Sequence, residues 1–286
     1  MDPSPLNYKL TFEPDLKKFT FDGLESISIN CKKSVNIITM NCAELKIKSC
    51  IVKSGKKIIK STPKINEKTE ELQIKLGEKI RGLCTVDLEF KGILNDRLLG
   101  FYRSKYQQNG KTKYLATTQF EAADARRAFP CWDEPEAKAT FEISIIADNK
   151  FTAISNMPIK TKKKIGNKIT YNFQKTPLVS TYLIYLGVGE FEYLTGKAGK
   201  IQIRVVTTKG NTSKGKFSLE LGKKLLTSYE KYFGIKFPLP KLDLIAVPDF
   251  AAGAMENWGA ITFRETILLY DPKTSSTRTK QFIAEV

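Results

Sequence analysis

The sequence predicts a mainly β chain, with an antiparallel β-sandwich first and a mixed α and β region after about residue 195. Three observations carry this. Apolar residues alternate with charged ones from Asn7 to about Leu194, the pattern of strands buried on one face. Turn-forming pairs, Asp22-Gly23, Ser54-Gly55, Asn109-Gly110 and Gly166-Asn167, punctuate the alternation. Beyond Gly196 to Lys200 the period lengthens from two to that of a helix, about 3.6 residues.

In chain order, strands are predicted around Tyr8, Leu10 and Phe12; Ile27 and Ile29; Leu45 and Ile47; Leu72, Ile74 and Leu76; Val86, Leu88 and Phe90; and Phe141, Ile143 and Ile145. Even spacing of this kind reads as a sandwich or a similar layered β structure. One further strand, Ile201 to Thr207, opens the second region. A helix is predicted from Ser213 to Phe233, with Phe217, Leu221, Leu225, Tyr229 and Phe233 as its apolar stripe and Leu226 and Tyr232 beside it. Gly234 and Pro238 stop it. Strands follow at Leu242 to Val247 and Gly259 to Phe263, then a turn and helix cap at Asp271 to Ser276 and a helix from Arg278. No stop signal follows Val286, so the chain is expected to end inside an element, as a truncated protein does. The expected domains are 1–195, the sandwich, and 196–286, an incomplete mixed domain.

Composition excludes several classes. With 18 Gly, 12 Pro and 41% hydrophobic residues in 286, neither a disordered nor a collagen-like chain fits. The longest uncharged stretch, Thr176 to Gly189, is 14 residues, short of the roughly 18 to 20 that span a bilayer, so no membrane partner is expected. The amino terminus lacks the basic and apolar regions of a signal peptide, which points to the cytoplasm. Five cysteines without a C-x-x-C pair suit buried thiols in a reducing compartment. The absence of histidine excludes a Ser-His-Asp triad, a Cys-His dyad and any histidine-bound metal within these residues. The net charge of +17 comes mostly from scattered lysines that alternate with apolar residues, as in Lys46-Ile47-Lys48. That is a solvated lysine-rich surface rather than a specific nucleic-acid site.

Two segments depart from this background. Between two strands, residues 118–135 crowd Gln119, Glu121, Arg126, Arg127, Asp133 and Glu134 among aromatic and small residues without either periodicity, as functional loops do. The arginines read mainly as ion-pair partners holding a long connection; Gln119 and Glu121 read less easily that way. The second segment is Gly253-Ala254-Met255-Glu256-Asn257-Trp258-Gly259. Its small residues describe either a strand edge to which an extended peptide could add, or a glycine-flanked bulge whose glutamate faces solvent. Composition leaves both readings open.

At Gly253-Ala254-Met255-Glu256-Asn257, and at Gln119-Phe120-Glu121 followed by Ala125 to Pro135, the sequence resembles the aminopeptidase N family of zinc-dependent aminopeptidases, which includes puromycin-sensitive aminopeptidases and archaeal tricorn-interacting factors. The resemblance implies a β-sandwich followed by the β-rich start of an α+β thermolysin-like catalytic domain. It implies that Glu256 binds the free α-amino group of a peptide substrate, assisted by Glu121 and Gln119. An ammonium offers three donors and one charge, which two carboxylates and an amide can satisfy. Gly253 and Ala254 would present backbone to the peptide, within a segment completed by Met255 and Asn257. The family's zinc ligands, in an H-E-x-x-H motif, are implied to lie just beyond Val286. The resemblance therefore implies the amino-terminal portion of a zinc metallo-aminopeptidase, inactive alone. The competing reading is a stand-alone peptide-binding or scaffold module without hydrolysis; nucleic-acid binding through the basic surface is a third, and would be weak and erased by salt.

Overall fold

The computed structural model describes residues 2–286, which form a mostly β protein with three sheets among the described residues. The largest has nine strands. Its order is Ile159–Ile165, Lys168–Phe173, Thr140–Asp148, Ser4–Asp15, Thr20–Asn41, Glu71–Ile93, Lys46–Ser54 and Lys57–Ile59, with Ser61–Asn66 also paired to Glu71–Ile93. Pairing is antiparallel except between Ser4–Asp15 and Thr140–Asp148, which run parallel. Those two strands are far apart in sequence, so no hairpin dictates their direction. A four-stranded sheet orders Thr152–Ser155, Leu186–Gly189, Lys111–Gln119 and Gly100–Gln108. A five-stranded sheet orders Phe191–Ala198, Ile201–Thr208, Lys241–Val247, Ala260–Arg264 and Ala254–Met255.

The chain forms two compact units that alternate along the sequence. The first contains residues up to Arg103, Thr118–Asn149 and Ile159–Ile184; the second contains Ser104–Thr117, Lys150–Pro158 and Tyr185–Val286. No helix among the described residues is long and apolar enough to cross a membrane.

Alternation works as predicted in the first unit. Tyr8 and Phe12 on one strand, with Phe21, Phe90, Phe129 and Phe141 from elsewhere in the unit, are fully buried. Tyr8 stacks on Phe141 at 4.8 Å, while Phe12 meets Phe90 and Phe129 edge to face. Lys46 and Lys48 lie on the exposed side of their strand. Of the predicted turns, Asn109-Gly110 and Gly166-Asn167 are turns and Gly55 opens one directly after the strand end at Ser54, whereas Asp22-Gly23 lies inside the strand Thr20–Asn41. Gly23 sits directly opposite Phe90, and a Cβ there would lie 2.1 Å from the ring. The glycine makes room for an aromatic rather than for a turn. Gly23→Ala is therefore expected to destabilise the first unit by about 1–3 kcal/mol, the usual cost of overpacking, read as a lower urea midpoint.

The predicted helix is present as a single 3-10 turn, Thr212–Gly215, leading into the α-helix Lys216–Phe233, but its buried seam differs from the predicted stripe. Ser218, Leu219 and Leu226 are buried, and Gly222 abuts Leu244, whereas Tyr229 and Phe233 are exposed. Residues four apart rotate about 40° beyond each full turn, so a stripe of strict fours winds off the contact face. The alternating three and four of Leu219, Gly222 and Leu226 keeps to it. With Ile203, Val205, Leu242, Leu244, Ala246, Phe263 and Leu268, this seam forms the core of the second unit.

Candidate functional site

The segment Gly253–Gly259 is built onto the five-stranded sheet. Every residue of Lys241–Val247 is buried, because this strand is flanked by parallel neighbours on both sides, Ile201–Thr208 and Ala260–Arg264. Ala254–Met255 then pairs antiparallel with Ala260–Arg264, Ala254 opposite Phe263 and Met255 opposite Thr262, and forms the edge of the sheet. Of the two readings left open by composition, the segment shows one feature of each: a two-residue edge strand, Ala254–Met255, and directly after it a glutamate, Glu256, that is exposed.

Several bonds fix this edge. The Arg264 N–H donates to the Gly253 carbonyl at 2.8 Å, and its guanidinium donates to the carbonyls of Phe250 at 3.2 Å and Ala251 at 2.6 Å. Met255 and Asn257 are each 1% exposed. The Asn257 side chain donates to Thr262 Oγ1 at 3.3 Å, and the Asn257 backbone carbonyl accepts the Ala260 N–H at 3.0 Å. Inward Met255 and Asn257 thus anchor a strand end from which Glu256 points outward. A pocket of about 270 Å³ adjoins Glu256 and is lined by apolar residues that include Phe237, Leu239, Trp258 and Ile261.

Behind this segment lies a charged cluster that the sequence patterns do not disclose. Asp243, with a fully buried side chain, accepts two bonds from the Arg204 guanidinium, at 2.6 and 2.5 Å, and one from Lys241 Nζ at 2.6 Å. Burial pushes the Asp243 carboxyl up, but Lys241 and Arg204 outweigh it and hold the group below its ordinary pKa. Burial lowers the Lys241 pKa against the opposing pull of Asp243. A Lys-x-Asp at the head of a strand ordinarily marks a solvated face, and only the burial of both faces of this strand makes it a core feature.

Gln119 and Glu121 belong to the first unit. Gln119 ends the strand Lys111–Gln119; it is 8% exposed, and its Oε1 has no hydrogen-bond partner. Glu121 is exposed, one residue beyond the fully buried Phe120. The arginines serve the connection, as expected. Arg126 Nε bonds Asp133 Oδ2 at 3.1 Å, and Asp133 also accepts from Thr181 Oγ1 at 2.9 Å. Arg127 bridges Asp124 at 2.7 Å, Glu44 at 2.6 Å and Glu70 at 2.8 Å.

The side chains present do not fit a catalytic zinc ion. Among the described residues no group of three Cys, Asp or Glu side chains is placed to hold a metal. The five cysteines are free, and four are buried. Burial pushes the thiols of Cys31 and Cys42 up to about 12 and that of Cys131 well up, so they are thiols rather than ligating thiolates.

Known protein families and relatives match most of the chain. The model of the Peptidase M1 N-terminal domain matches residues 4–183, and that of the Peptidase family M1 domain matches residues 217–286. The chain is 43% identical over 289 residues to Aminopeptidase M1 of Arabidopsis thaliana, covering 99% of this chain and 33% of that protein. It is 42% identical over 291 residues to Aminopeptidase 2, mitochondrial, of Saccharomyces cerevisiae, and 41% identical over 290 residues to Puromycin-sensitive aminopeptidase of Caenorhabditis elegans, covering 99% of this chain and 30% of each. The chain therefore spans about a third of the length of the curated relatives it matches.

Proposed function

The chain belongs to peptidase family M1, and on that premise we propose that it is the amino-terminal portion of a zinc metallo-aminopeptidase that releases amino-terminal residues from peptides by hydrolysis. In this reading the zinc and its ligands belong to the rest of the enzyme, and this portion supplies recognition of the substrate and is inactive alone. The division near residue 195 is proposed as the boundary between the sandwich and the catalytic domain.

Glu256 is proposed to accept N–H bonds from the substrate's α-ammonium, and Gln119 and Glu121 to serve the same group. Gly253 and Ala254 offer backbone at a sheet edge, where an extended peptide can add main-chain bonds, while Met255 and Asn257 hold that edge in place. The observation that carries this reading is an exposed carboxylate placed directly after a rigidly bonded edge strand. The unpartnered buried oxygen of Gln119 adds to it, being an acceptor without a donor.

The partners are peptides with a free amino terminus, with no membrane or specific nucleic acid. The cytoplasm is proposed as the compartment because all five cysteines are free. In the full-length enzyme, Glu256→Ala and Glu121→Ala are each expected to lower kcat/KM by about tenfold to a hundredfold, the worth of one charge-assisted bond. Steady-state kinetics on a short peptide checks this; wild-type efficiency in either variant removes that residue from the site.

A further inference from the structure

Lys241 opens a strand with no exposed residue and is itself 2% exposed. Its ammonium has three protons and three acceptors: Asp243 Oδ2 at 2.6 Å, the Ser155 carbonyl at 2.7 Å and the Gly259 carbonyl at 2.8 Å. Gly259 lies three residues after Glu256. The preceding carbonyl, that of Trp258, accepts from Asn156 Nδ2 at 2.9 Å, and Asn156 Oδ1 accepts the Tyr185 N–H at 2.9 Å. Two successive carbonyls, two and three residues after Glu256, are thus gripped by buried donors from outside the segment. The turn fits this grip closely: Gly259 has φ +70°, and a Cβ there would lie 2.5 Å from the Asn156 carbonyl oxygen.

We infer that Lys241 is a positioning residue for Glu256, fixing the direction of that carboxylate by holding the Gly259 carbonyl without touching substrate. The inference rests on the reading of Glu256 as the amine ligand. An ammonium suits the task because it supplies three donors and a charge from one atom, whereas a neutral amide, with two donors, would leave one of these three buried acceptors unpaired and Asp243 without a buried counter-charge. Asp243 supplies the counter-charge, itself held by Arg204. The Arg264 N–H holds Gly253, ahead of Glu256, and the Asn257 side chain holds the residue after it, so Lys241 completes the constraint at the Gly259 end of the segment.

The test uses the full-length enzyme and two peptides that differ only in whether the α-amino group is present or replaced by hydrogen. Lys241→Met keeps the aliphatic stem and leaves the bidentate Arg204–Asp243 pair intact. It is expected to raise KM for the free-amine peptide by about tenfold, with a smaller change in kcat, and to shrink the preference over the amine-less peptide. Asn156→Ala, which frees the Trp258 carbonyl, is expected to shift KM in the same direction. A purely structural role would reduce the active fraction, lowering apparent kcat with KM and amine preference unchanged, and that outcome overturns the inference. Glu256→Gln, measured alongside, separates the two claims. If it keeps the amine preference, the reading of Glu256 and the role of Lys241 both fall; if it loses the preference while Lys241→Met keeps it, the positioning role alone falls. Should Lys241→Met not fold, Lys241→Gln, which keeps a donor but cannot serve all three acceptors, decides by the same comparison.

Discussion

Asp243→Asn is expected to destabilise the second unit by about 3–5 kcal/mol at neutral pH, the cost of breaking a buried ion pair by removing one partner. The substitution preserves shape and removes charge. It leaves the buried Lys241 and the partly buried Arg204 facing each other around a neutral amide, two cations without a counter-ion. Lys241→Met, by contrast, leaves a neutral pair and should cost less. The pH dependence has a definite sign: a carboxyl held below its ordinary pKa stabilises fully above its unfolded value and loses that contribution as pH falls through the folded one. The gap between wild type and Asp243→Asn should therefore narrow in acid. Urea denaturation across pH tests this, and a variant within about 1 kcal/mol of wild type at neutral pH contradicts the cluster's assigned role.

Replacing Glu25 has the opposite expected sign. Glu25 lies on the inward face of Thr20–Asn41, between Leu10 and Leu88 on the neighbouring strands, 3% exposed and with neither carboxyl oxygen hydrogen-bonded. Burial raises its pKa well above the ordinary value. For a carboxyl raised in this way, the unfolded chain gives up its proton first. Stability therefore falls as pH rises above the unfolded value, by about 1.4 kcal/mol per pH unit, until the folded group titrates. Glu25→Met, similar in size and apolar, removes both the orphaned oxygens and this slope. A gain of about 1–3 kcal/mol is expected from the oxygens alone, growing with pH. Thermal unfolding from acid to mildly alkaline pH checks it; a lower Tm for Glu25→Met above neutrality would mean that Glu25 is held by an interaction its surroundings do not supply.

Much of the fold is legible in the alternation of apolar and charged residues, because a strand with one wet face writes that face into its sequence. Legibility fails where a residue answers to a partner distant in sequence. Gly23 has the local signature of a turn, yet the ring of Phe90, 67 positions away, is what requires it. The four-residue stripe from Phe217 to Phe233 identifies a helix, but its contact face is chosen by the sheet beneath, through Gly222 against Leu244. The edge strand and the exposed Glu256 follow from small residues around one carboxylate. Lys241 and Asp243 do not, because strand periodicity assigns a lysine and an aspartate two apart to solvent, and only the parallel neighbours on both sides bury them.

Glu256, with Glu121 and Gln119, is proposed to recognise the free α-amine of a peptide. The most direct test is the ratio of kcat/KM for a peptide bearing the amine to that for the same peptide lacking it, measured in the full-length wild-type enzyme and in Glu256→Ala and Glu121→Ala. The ratio is expected to favour the free amine strongly in wild type and to collapse by about tenfold to a hundredfold in each variant, with Tm unchanged or slightly raised because a carboxylate without its cation is lost. A variant of Glu256 that retains the wild-type ratio would contradict the account.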